Sequence, residues 1–93
     1  MNPKLKINEK ESVFEFLTDG DLAKVMYAKR KDVLYLNYAF VPGELRGKGI
    51  GAKMMQAVLE YARENKLKVV PICSYTVRYM NQHNEWDDLL YNP

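Results

Sequence analysis

The sequence predicts an α/β (α+β) domain: an antiparallel strand meander, then a β-α-β unit with a splayed parallel strand, then short C-terminal helices. Three observations carry this. Alternating and apolar runs separated by turn signals occupy the chain as far as Val41, one long amphipathic stretch starts at Ile50, and a second apolar run follows it at Leu67 to Ile72. With 93 residues, 47% hydrophobic and 28% charged, residues 1–93 have the composition of a single globular domain. A domain of this size hides about 60 to 65% of its unfolded surface, so any chemistry must sit close to the core.

The elements follow in order. Leu5 to Asn8 makes a short first strand. From Ser12 to Thr18, Val13, Glu15 and Leu17 alternate with Phe14 and Phe16, the period of a half-buried strand. Asp19-Gly20 supplies positive φ cheaply and predicts a two-residue hairpin into Asp21 to Lys29. Arg30-Lys31-Asp32 is a second polar break. Val33 to Val41 is apolar on both faces, with Val33, Tyr35, Ala39 and Val41 against Leu34, Leu36, Tyr38 and Phe40, and is expected to be the central strand. Pro42, with no amide to give a ladder, ends it.

From Ile50, apolar residues recur at Met54, Ala57, Val58, Tyr61 and Ala62, opposite Lys53, Gln56, Glu60, Arg63 and Glu64. This spacing predicts a helix of roughly four turns. Asn65-Lys66 should close it, with Asn in the left-handed conformation. Leu67 to Ile72 then forms a strand parallel to Val33 to Val41, as a crossover connection requires. Ser74 to Leu90 reads as one broken or two short helices, interrupted near Asn81 to Asn84.

Charge and composition exclude several classes of function. The net charge is +2 and the lysines and arginines are scattered, so no nucleic-acid groove is expected. No uncharged apolar run approaches the ~18 residues a membrane span needs, and the first ten residues carry no apolar export signal. Cys73 is the single cysteine, which rules out an intramolecular disulfide and favours a reducing, cytoplasmic setting. A metal centre has no support, because His83 has no second histidine or cysteine at ligand spacing.

The informative segment is Arg46-Gly47-Lys48-Gly49-Ile50-Gly51, placed where a strand hands over to a helix. Unpaired amides and the helix dipole make such a junction suited to an anion, and Arg46 and Lys48 would add charged donors. A Walker A loop does not fit: Gly43 stands three residues before Gly47-Lys48, and Gly49 follows in place of Ser or Thr. A dinucleotide fingerprint does not fit either, since the glycines run 47, 49, 51 after an antiparallel meander.

The segment resembles the Arg/Gln-x-x-Gly-x-Gly/Ala loop of the GCN5-related N-acetyltransferases, matching all six positions and preceded by Val41-Pro42. More closely the chain resembles a short stand-alone subfamily related to the YjdJ-type proteins. Leu59-Glu60-Tyr61-Ala62-Arg63, Val69-Val70-Pro71-Ile72-Cys73, Tyr79-Met80 and His83 carry that likeness, over roughly residues 12 to 90. The resemblance implies a minimal version of that family's fold, forming one domain that binds acetyl-CoA or CoA. It implies that the amides of Arg46 to Gly51 grip the pyrophosphate and that Phe40 and Val41 run beside the pantetheine arm. Where the subfamily often has His-Thr-Glu before Val-Pro, this chain has Tyr38-Ala39-Phe40. The early helices and final hairpin that build an acceptor pocket in longer acetyltransferases are absent from it.

Two residues are candidates for chemistry. Cys73 falls just past the parallel strand, beside the expected thioester and ahead of a helix whose N-terminus would lower a thiol pKa. It is read either as a nucleophile or acceptor-positioning group, or as a small buried hydrophobe. Tyr79 lies where related acetyltransferases place a tyrosine that protonates the departing CoA thiolate; the other reading is a core residue. His83 suits a base or, at a helix break, a cap, and Trp86, Leu89 and Leu90 are read as core. The function that follows is acetyl transfer from acetyl-CoA to an amine, small molecule or protein, by a monomer or homodimer. Two other readings stand beside it: a CoA-binding module without turnover, and a partner-binding domain using an exposed edge strand.

Overall fold

The computed structural model describes residues 4–18, 20–43, 47 and 49–92. Five strands form one sheet in sequence order: β1 (Lys4–Asn8), β2 (Val13–Thr18), β3 (Asp21–Arg30), β4 (Val33–Phe40) and β5 (Lys68–Pro71). The first four are antiparallel neighbours, and β5 pairs parallel to β4 from Val33↔Lys68 to Leu36↔Pro71. Between β4 and β5 the chain crosses over through helix α1 (Ile50–Glu64), and helix α2 (Ser74–Gln82) and a 3-10 segment (Asn84–Leu89) follow.

The turns explain the register. Ser12 takes φ 56°, so β2 starts one residue later than the alternation predicts, and the Glu11 N–H donates to Asn8 Oδ1 at 3.1 Å to hold the preceding turn. Thr18↔Asp21 closes the β2–β3 hairpin around Gly20 at φ 82°, and Asp19 lies outside the described residues. Arg30 pairs with Val33, so the third turn is Lys31-Asp32 alone, with Lys31 at φ 55°.

One sheet face carries the core. Phe14, Phe16, Val25, Leu34, Leu36 and Val69 pack under Met54, Met55, Val58, Leu59 and Ala62 of α1 and Tyr79 and Met80 of α2. Each fully buried aliphatic or aromatic side chain contributes about 1.5 to 3 kcal/mol. The predicted stripe of α1 is widened by Met55 and Leu59, while Ala57 and Tyr61 are only half-buried. The helix closes differently from expectation: Asn65 has φ −100° and the left-handed residue is Lys66 at φ 58°. The Leu67 N–H donates to Ala62 O at 2.8 Å and the Lys66 N–H to Arg63 O at 3.2 Å, the paired bonds of a Schellman end with buried Leu67 as its apolar contact.

β4 departs from expectation in two ways. It is interior, but the middle place of five belongs to β3. Its faces also do not alternate strictly, because the register shifts between Met26↔Tyr38 and Tyr27↔Leu36, leaving Asn37 as an extra residue. This β-bulge resets the parity. Leu34 and Leu36 face the core, and after the bulge Ala39 and Val41 do so, whereas Tyr38 and Phe40 are turned to the opposite, exposed face.

The bulge coincides with the end of the β4–β5 ladder. Beyond Leu36↔Pro71 the backbone N–H groups of Ile72 and Cys73 both point to Leu36 O, at 3.0 and 3.4 Å, and the two strands part. β4 continues through Asn37–Phe40 without β5 beside it, which is the splay that the sequence predicts. Among the described residues no helix is long and apolar enough to cross a membrane.

Candidate functional site

A cleft of about 510 Å³ opens where β4, the start of α1 and the start of α2 meet. Ala39 and Val41 line it from β4 and the strand's continuation, Gly47 and Gly49 from the turn, Ile50, Gly51 and Ala52 from α1, and Tyr75 from α2. Of the residues expected to bind a ligand, the structure therefore brings Val41, Gly47, Gly49, Ile50 and Gly51 together. Arg46 and Lys48 lie outside the described residues. Phe40 is the exception: the bulge at Asn37 turns its side chain to the other sheet face, where it pairs with Lys24.

The turn has the properties an anion requires. Gly49 caps α1 in the left-handed conformation, φ 76° and ψ 8°, with no side-chain hydrogen bond to the first amides, and no acidic residue stands in the first turn. A Cβ at Gly47 or Gly49 would meet nothing within 4 Å, so both face open space, and only glycine takes their positive φ without strain. Small and apolar walls at Ala39, Val41 and Ala52 then lead from the turn along β4 toward the parted strands. A phosphate-bearing ligand with an uncharged arm fits this sequence of surfaces.

Cys73, half-buried and the N-cap of α2, stands where the strands part, its N–H on Leu36 O, but it is not among the residues that line the cleft. Its thiol donates to Thr76 Oγ1 at 3.5 Å, and the Thr76 hydroxyl donates to Cys73 O at 2.9 Å, so the buried Thr76 fixes both ends of the residue. Tyr79 does not line this cleft. Its ring is buried and stacked on His83 with centroids 3.9 Å apart. Burial pushes its phenol above the usual value, Trp86 opposes this, and Glu85 and Glu60 add to it. Those neighbours belong to the far half of α1 and the 3-10 segment, away from the glycine turn. His83 caps α2 and its Nδ1–H donates to Tyr79 O at 2.8 Å.

The tyrosine that does face the cleft is Tyr75, one turn before Tyr79 on α2. It is half-buried, and burial raises its phenol pKa, with Tyr79 and Cys73 near enough to add to the shift. Sequence reading passed over it, although a residue four before Tyr79 occupies the same helix face. Ala39 and Ala52 were missed because small residues carry no signal until a ligand-sized space is seen beside them. Among the described residues no group of three or more His, Cys, Asp or Glu is placed to hold a metal ion.

Comparison with known proteins agrees with this geometry. The family model of the GCN5-related N-acetyl-transferases matches residues 13–89. An uncharacterized N-acetyltransferase of Archaeoglobus fulgidus is 48% identical over 44 residues, covering 47% of this chain and 30% of that protein. The chain thus spans less than a third of that relative's length. The solution structure of a GCN5-like protein from Staphylococcus aureus, provisionally assigned as an N-acetyltransferase, superposes with a TM-score of 0.75 at 28% identity. That match covers 99% of this chain and 91% of the other. The parted β4–β5 pair, the glycine turn opening α1 and the family match from strand β2 to the 3-10 segment lead to one conclusion: the chain belongs to the GCN5-related N-acetyltransferase family.

Proposed function

We propose that the protein binds acetyl-CoA in the cleft between β4, α1 and α2 and transfers its acetyl group to an amine. The observation that supports this best is the continuous path from the open glycine turn along Ala39 and Val41 to the parted strands. The pyrophosphate would meet the amides at Gly47 to Gly51, with Arg46 and Lys48 as added donors, and the pantetheine arm would lie along Val41, with the Phe40 backbone but not its side chain beside it. The thioester would then reach the gap headed by Cys73. In transfer, the amine nitrogen bonds to the thioester carbonyl carbon, the carbon–sulfur bond breaks, and the CoA sulfur gains the proton that the amine gives up. Holding the two reactants together contributes to the rate by making the transfer effectively unimolecular.

Cys73 is the chain's candidate for contact with the acyl group, as acceptor-positioning group or transient nucleophile. Tyr79, buried against His83, is a poor acid for a thiolate in the cleft, and Tyr79→Phe is expected to retain turnover. That placement favours a second reading, in which the domain binds CoA without turnover. Isothermal titration with acetyl-CoA and CoA, alongside Gly49→Asp and followed by an amine panel, separates the possibilities. The variant places bulk and negative charge at the turn, and should lose binding while its circular dichroism stays close to wild type. Unchanged affinity in Gly49→Asp rejects the turn as the phosphate site, and binding without transfer to any amine leaves the second reading.

A further inference from the structure

Gly51 and Tyr75 meet across the cleft, and their contact constrains both residues. A Cβ built at Gly51 falls on the Tyr75 hydroxyl oxygen, with Tyr75 Cζ 3.0 Å away. Unlike Gly47 and Gly49, Gly51 takes no positive φ, so its backbone would accept any residue. On helix propensity alone, alanine is preferred to glycine. Glycine there leaves room for the tip of the tyrosine side chain to lie against the helix. The phenol reaches from α2 to the first turn of α1, with its oxygen where a Cβ of residue 51 would stand.

We infer that Gly51 is the seat of Tyr75, and that the Tyr75 hydroxyl so held is a ligand contact, donating a hydrogen bond to the phosphate-bearing half of CoA. The inference rests on the CoA reading above. Tyr75 lines the same cleft as Gly47 and Gly49, and its oxygen is fixed at the helix end where their open backbone faces solvent. It is a proton donor with no competing charge of its own, and a donor to an ionised oxygen is worth more than a neutral pair. Gly51 is then a positioning residue and Tyr75 a binding residue.

The test is a double-mutant cycle read by titration with three probes: CoA, ADP and pantetheine, the last carrying the arm without the phosphates. Tyr75→Phe should weaken CoA and ADP by about tenfold and leave pantetheine unchanged. Gly51→Ala should cause a similar loss, because it pushes the hydroxyl off its seat, and Gly51→Ala/Tyr75→Phe should be no worse than Tyr75→Phe. Thermal melting without ligand gives an independent readout. Gly51→Ala should melt close to wild type, because the tip of Tyr75 can swing aside, so that a loss of CoA affinity in this variant reports the displaced hydroxyl and not a failed fold. Wild-type protein that fails to bind CoA overturns this inference together with the proposed function. Wild-type binding with Tyr75→Phe unchanged, or with pantetheine weakened equally, overturns this inference alone, as does a Gly51→Ala loss that adds fully to that of Tyr75→Phe.

Discussion

Tyr79 and His83 stack one turn apart on α2, ring centroids 3.9 Å apart and planes 13° from parallel, while the His83 Nδ1–H closes the helix on Tyr79 O at 2.8 Å. The two rings end the helix as one unit, and the residue that family likeness marks as an acid lies buried in that stack. Because a carbonyl only accepts, this bond fixes the proton on Nδ1 and leaves Nε2 as the free nitrogen.

Three phenols, Tyr79 buried and Tyr27 and Tyr75 half-buried, make the fold sensitive to alkali. Tyr27, Tyr75 and Tyr79 all have pKa values raised above 10.0, each chiefly by burial. A raised folded-state pKa means that the stabilisation is complete below the unfolded value near 10 and is lost as pH climbs through the folded value. Urea midpoints should therefore fall as pH rises past 10, and Tyr79→Phe should flatten that fall. An unchanged slope in the variant would remove Tyr79 from the account.

At Cys73, incubation with acetyl-CoA followed by mass spectrometry tells nucleophile from positioner. A transient nucleophile gives an acetyl adduct of the intact chain that disappears in Cys73→Ala. A positioning role gives no adduct and a lower transfer rate in Cys73→Ala.

Thr76 is fully buried and uses its one hydroxyl as acceptor for the Cys73 thiol and donor to the Cys73 carbonyl. Thr76→Val keeps the shape and removes both bonds, so it should cost about 1 to 2 kcal/mol of unfolding free energy in urea titration. The helix should remain, since the Val77 N–H still donates to Cys73 O at 3.0 Å.

Lys66 closes α1 at φ 58°, a conformation that costs a residue with a Cβ and suits glycine. Lys66→Gly should raise stability by about 0.5 to 1 kcal/mol, read as a higher urea midpoint at unchanged slope. A loss instead would mean that the Lys66 side chain contributes a contact worth more than the backbone relief.

Most of the strand and helix plan was legible because it rests on local signals. Phe14 and Phe16 alternate with Leu17, the apolar stripe of α1 repeats at helical spacing, and the glycine turn sits between two such elements. What was not legible depends on pairing between distant segments. The faces of β4 were misassigned at Tyr38 and Phe40 because a bulge is a property of two strands, and nothing around Asn37 alone announces that Met26 and Tyr27 will face it with a residue to spare. Family likeness marks Tyr79 by its position in the chain, whereas which tyrosine of α2 lines the cleft is set by the packing of distant segments, and that tyrosine is Tyr75. The Asn65–Lys66 exchange is smaller: both residues stand at the helix end, and the backbone bonds of Leu67 and Lys66 select the one that turns left-handed.

The extra residue at Asn37 has a consequence for how such a protein can be lost. Removing that one codon would leave every side chain of β4 on its present face, because the bulge and the residue that makes it disappear together. The strand would run straight, and the ladder with β5 could continue past Leu36↔Pro71, where the two strands now part. The product would be a closed sheet with an intact core and no gap to admit a thioester. Chain length at a single point, with no change of chemistry, then separates a parted sheet from a closed one.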